Sequence, residues 1–160
     1  MCLKTNNPQK IAERDIRCYK VLRQLQVGNE LVPATPFMET VIEEDVLRGK
    51  KPLEAKSESH KDAILRRETG TVQSGYIHTY EGKTEAITAI GELLPEKSVF
   101  YVCECVIPEG TPMFEGVTPL PEYVSFASKR IVIKKVERYM KQPSSFFRGS
   151  RPVYVYLDTV

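Results

Sequence analysis

The chain has 160 residues, with 23 Lys and Arg against 21 Asp and Glu for a formal charge of +2, and 41% of it is hydrophobic. These proportions fit one globular domain able to bury its own core, and they exclude a disordered or collagen-like chain. The chain therefore reads as a single domain over residues 1–160, an arm of residues 1–15 followed by a core of residues 16–160.

At its start, Met1-Cys2-Leu3-Lys4-Thr5-Asn6-Asn7-Pro8 gathers one Leu before turning polar, too short an apolar run for an export signal. Residues up to 15 are expected as an arm or short helix. Residues 16–22 predict the first strand, with Tyr19 and Val21 on one face and Ile16, Cys18 and Leu22 on the other. The pattern loosens over residues 24–59, where Pro33 and Pro36 mark a turn, residues 40–47 read as a strand, and Arg48-Gly49-Lys50-Lys51-Pro52 is a charged turn. Residues 60–67 predict a short helix.

Gly75-Tyr76-Ile77-His78-Thr79-Tyr80 alternates as a strand should. The period then changes: Ala86, Ile87, Ile90, Leu93 and Leu94 form the stripe of an amphipathic helix over residues 83–94, which Pro95 stops. Residues 99–107 are apolar on both faces and predict a central strand. A turn over residues 108–112 and a loop through residues 118–121 follow. Residues 123–126, 130–136 and 153–157 then read as further strands. The balance is α+β, strand-rich, with one amphipathic helix.

The longest apolar run, residues 99–107, is too short to cross a bilayer as a helix, so no membrane partner is expected. Cys103 and Cys105 share a strand face without the paired spacing of a zinc knuckle, and with Cys18 they read as buried reduced thiols, hence no metal and a cytoplasmic setting. The near-neutral total conceals a separation. From Lys129 to Arg151 eight cations face Glu137 alone, whereas residues 68–122 hold nine Glu against Lys83 and Lys97. Cations interleaved with Tyr139, Phe146 and Phe147 suit a protein or nucleic-acid partner, with charge on phosphates and rings on bases. The plainer reading is an acidic, helix-bearing layer beside a basic strand edge.

The order of elements carries a likeness. The first strand, then Gly75-Tyr76-Ile77-His78-Thr79-Tyr80 running into the helix, then Phe100-Tyr101-Val102-Cys103-Glu104-Cys105-Val106, then Glu122-Tyr123-Val124-Ser125-Phe126 resembles the catalytic core of the ADP-ribosyltransferase and poly-ADP-ribose polymerase superfamily. It covers residues 74–136 and the first strand. The Gly-Tyr-Ile-His junction is also similar to one in small uncharacterised proteins of gut bacteria and their phages, a likeness that implies no activity.

The superfamily resemblance implies a split antiparallel or mixed sheet, NAD or another nucleotide as ligand, and NAD-dependent transfer as the reaction. Glu122 would stabilise the oxocarbenium-like ribose and hold its 2-hydroxyl. Arg17, with Lys20 as a second cation, would reach the nicotinamide ribose or phosphates, and Tyr76 or His78 would stack on nicotinamide. The chain departs from the superfamily pattern: strand one has no His-Gly pair, the middle strand no Ser-Thr-Ser run, and position 120 is Leu where a second glutamate would stand. Those departures argue against arginine-directed transfer and against the polymerase type, and leave catalysis open.

Each candidate also has a structural reading. Glu122 fits an exposed carboxylate leading into a strand, His78 a half-buried histidine with its hydrogen bond satisfied, and Arg17 the partner of a nearby glutamate. Glu104 is either solvent-facing or a buried acid in need of a partner. The rival to the transferase is a non-enzymatic interaction module of bacterial or phage origin working through the basic C-terminal surface.

Overall fold

The computed structural model describes residues 2–119, 121–143 and 152–160. Its spine is β3 (Ile16–Val27), which lies antiparallel to β8 (Val99–Ile107), and β8 in turn pairs with β11 (Arg130–Gln142) and β11 with β12 (Val153–Thr159). On the other side β3 meets β7 (Ile77–Tyr80), followed by β10 (Val124–Ser128), β9 (Pro112–Val117), β1 (Leu3–Lys4) and β6 (Thr71–Val72). Three short partners complete the sheet: β2 (Lys10–Ile11) on β9, β4 (Glu30–Ala34) on β3 and β5 (Leu53–Glu54) on β11.

Every pairing among the described residues is antiparallel, so the sheet is a curled antiparallel one and the mixed arrangement is not realised. With α1 (Glu44–Leu47), α2 (His60–Thr69) and α3 (Lys83–Gly91) the chain is α+β and dominated by strands. No helix of the described residues is long and apolar enough to cross a membrane.

The alternation of β3 and β8 gives the sheet two apolar faces. Cys18, Leu22, Tyr101, Cys103, Cys105 and Ile107 belong to the larger core cluster, together with Met113, Phe126, Ile131, Ile133 and Val136. Val21, Phe100 and Val102 look the other way, where Ala86, Ile90 and Leu94 from the α3 segment cover them. The helix ends at Gly91, short of residue 94: Leu93 and Leu94 continue it as turns, donating to the carbonyls of Ile90 and Gly91. At Gly91 a Cβ would lie 2.7 Å from the Tyr154 ring, so the absence of a side chain lets β12 close over the helix.

Two expectations are corrected, and one strand is added. Residues 40–47 do not form a strand: Val41 makes a lone bridge to Ala34, and Glu44–Leu47 is a helical turn with Glu44 and Asp45 where the helix dipole favours acids. The first fifteen residues do not stand off as an arm, because Leu3 is fully buried in a third cluster with Val72, Phe114 and Ala127. Residues 112–117 form β9, placed by Met113 and Phe114 burying opposite faces and by Gly116 lying against the Lys4 carbonyl.

The sheet also forks. β3 pairs with β7 only at Tyr19 opposite Tyr80, and beyond that point takes β4 as its neighbour from Arg23 to Val27.

Candidate functional site

Lys20 sits at that fork. Its Nζ donates to the His78 carbonyl oxygen at 3.0 Å, closing a backbone group of β7 that β3 has left behind. Burial lowers its pKa, and the thiols of Cys105, Cys103 and Cys18 around it partly offset the effect. Those thiols are themselves held protonated: burial pushes Cys18 up to about 11 and Cys103 up to about 12, and raises Cys105 as well. Cys18 faces Cys105 in register, yet no group of His, Cys, Asp and Glu among the described residues could hold a metal ion.

His78 is half-buried, with Nε2 2.7 Å from the Gln73 carbonyl, so this nitrogen carries the ring proton. Burial drives its pKa down to about 4, and the neighbouring Lys20 adds to the effect. Tyr76 has Lys129 Nζ 3.9 Å from its ring centre, the Phe114 ring edge-on at 5.3 Å, and its hydroxyl donating to Gln9 at 2.9 Å. Arg17 is exposed and places Nε 3.4 Å from Glu104, to which the Tyr19 hydroxyl also donates. Glu104 is thereby the half-exposed partner of Arg17 and Tyr19.

Glu122 is exposed ahead of β10. Because Ser125 faces Tyr80 and Ala127 faces His78, the register carries Glu122 and Arg17 toward the Tyr80 end of β7 and His78 toward the other. At about 3.3 Å per residue, His78 and Glu122 lie on the order of 15 Å apart along the strand. The pair that the fold does bring together is Lys20 with the backbone of His78.

The basic stretch from Lys129 resolves into individual roles. Lys129 donates to the Gly75 carbonyl, Arg130 pairs with Glu54 at 2.7 Å, Arg138 pairs with Asp158, and Lys141 is buried with Nζ 2.8 Å from the Leu94 carbonyl. Tyr139 stacks on Phe100 with ring centres 5.8 Å apart. Phe146, Phe147, Arg148 and Arg151 lie outside the described residues. What remains is Lys134 and Lys135.

Their exposure follows from a β-bulge. Ile133 faces Cys105 and Lys135 faces Glu104, leaving Lys134 as the extra residue. Ile133 and Val136 therefore both turn into the core, and the two lysines between them both turn out. The charged turn after α1 is fixed beside them. Gly49 has φ 75° and lies so close to the Ile133 carbonyl that a Cβ would collide with it, while the Lys50 amide donates to Asp45 at 2.8 Å.

Between turn and bulge lies an open surface pocket of about 530 Å³, lined by Arg48, Lys50, Lys134 and Lys135. The Glu44 carboxylate, also in the lining, is bound to Arg48 at 2.7 Å. Lys50, Lys134 and Lys135 make no ion pair with any described residue. Leu47 and Val160 supply apolar wall, and the Val160 amide donates to the Val136 carbonyl at 2.8 Å. Such an arrangement attracts anions, since like charges held around a concavity raise the local potential.

Sequence reasoning marked the charged turn and counted Lys134 and Lys135 within the basic stretch, but read residues 130–136 as a plain strand and missed the bulge. Residues 48–52 stood out as a charged turn, and a Lys-Lys pair interrupting the alternation of Ile131, Ile133 and Val136 is the mark of a bulge. Comparison of the chain with models of known protein families, with curated proteins and with solved structures finds no match.

Proposed function

We propose that the protein is a non-enzymatic binding module for phosphate-bearing ligands, and that the cavity between the α1 turn and β11 is its binding site. The observation that supports this reading is the gathering of three unpaired lysines and Arg48 around one concavity from segments more than eighty residues apart. Holding like charges together opposes folding, and the Glu44 carboxylate, bound to Arg48, is not paired with the lysines. A multiply charged anion supplies the missing countercharge. NAD, the ligand suggested by the sequence resemblance, carries a pyrophosphate and belongs to the same chemistry.

Titration calorimetry with inorganic pyrophosphate tests the reading. Binding is expected at low ionic strength, to weaken as salt is raised from about 0.05 to 0.3 M, and to vanish in the K50Q/K134Q/K135Q variant with its fold retained by circular dichroism. Absence of binding at millimolar pyrophosphate, or full affinity in the triple variant, would overturn it.

A further inference from the structure

The composition of the cavity wall says more about the occupant than its charge does. We infer that the site takes a small organic diphosphate, the diphosphate on the lysines and a compact apolar body against Leu47 and Val160, rather than a strand of nucleic acid. The inference rests on the anion-binding reading above and narrows it.

Three observations carry it. First, the three unpaired lysines, Lys50, Lys134 and Lys135, approach the charge of one diphosphate ester, and they sit on a single rim rather than along a track. The cations that could have continued a track along β11 are engaged elsewhere: Arg130 with Glu54, Arg138 with Asp158, and Lys141 with helix-end carbonyls. Second, a volume of about 530 Å³ lies within the range of small-molecule sites, ~300–1,000 Å³. Third, part of the lining is aliphatic, which gives bare pyrophosphate nothing to cover but favours an ester with a hydrocarbon or heterocyclic body. No aromatic side chain lines the cavity, so the stacking platforms on which single-stranded nucleic acids rest are missing among the described lining residues.

The test compares four probes on the intact chain by calorimetry: inorganic pyrophosphate, ADP, dimethylallyl diphosphate and a twelve-nucleotide single-stranded DNA. ADP or dimethylallyl diphosphate is expected to bind roughly tenfold more tightly than pyrophosphate, and whichever does so identifies the body as heterocyclic or aliphatic. In V160S that preference for the ester over pyrophosphate should fall several-fold. Val160 is 65% exposed, so the substitution leaves the core untouched. If pyrophosphate binds as tightly as both esters, or the DNA binds more tightly than all three, the organic-diphosphate inference fails while anion binding stands. If none of the four binds, both fail.

Discussion

Two sets of three lysines in this protein differ in what their ammonium groups meet. Lys20, Lys129 and Lys141 each reach a backbone carbonyl: His78 at the fork of the sheet, Gly75 ahead of β7, and Glu92 with Leu94 at the end of α3. Lys50, Lys134 and Lys135 meet none among the described residues and line one pocket. The first group works as structural ties, closing carbonyls that the sheet or helix leaves open, and its charge is not available to a ligand. The second contributes little to folding and leaves its charge free. Counting basic residues along the chain merges the two, so among the described residues from Lys129 to Gln142 the excess of charge overstates what is free to meet a ligand.

The sharpest way to break this division is Lys141→Ala. Removing the ammonium orphans the carbonyls of Glu92 and Leu94 at the negative end of α3, and destabilisation of about 3 kcal/mol is expected by urea unfolding, with pyrophosphate affinity of the folded protein unchanged. A loss below about 0.5 kcal/mol would remove Lys141 from the structural group.

Acid tests the fork. His78 has a folded pKa of about 4, below its ordinary value near 6.5, so as pH falls the unfolded chain takes up the proton first. Its contribution is present above pH 6.5, is lost between about 6.5 and 4, and changes no further below that. Because the ring is half-buried, a loss of about 2 kcal/mol is expected across this window, and H78Q should remove that part of the pH dependence. An identical pH profile in H78Q would mean that a second cation beside Lys20 is tolerated.

Smaller effects probe the cavity group. Gly49→Ala should cost about 1–2 kcal/mol through its positive φ and the Ile133 carbonyl, and weaken pyrophosphate several-fold by moving Lys50 away from the bulge. Lys134→Gln should change stability by less than about 0.5 kcal/mol yet lower pyrophosphate affinity several-fold. A Lys134→Gln protein that unfolds early would put Lys134 with the structural ties.

Long periodic segments were legible before any coordinates. The strand beginning at Ile16, the strand through Val99–Ile107 and the helix beginning at Lys83 carry their own burial pattern, and each forms where expected. Short elements were not, because tertiary partners make them: β1 exists because Leu3 fills a space beside Val72 and Phe114, and α1 because Val46 reaches the core from a single turn. The same reasoning applies to the site. Arg17, His78 and Glu122 were chosen for chemistry, and their strand register spreads them along β7, whereas the cavity depends on the contact of Gly49 with Ile133, across a sequence separation no local pattern records.

The bulge at Lys134 bears on how the chain tolerates change in length. Within a regular strand, deleting one residue turns every later side chain to the opposite face. In β11, removal of Lys134 would instead restore simple alternation, Ile133 inward, Lys135 outward and Val136 inward, while the pairing of residues 135–140 with β8 keeps its register. A single codon could thus be lost or gained here with the core intact, so the charge at the bulge can be inherited or discarded separately from the architecture that carries it.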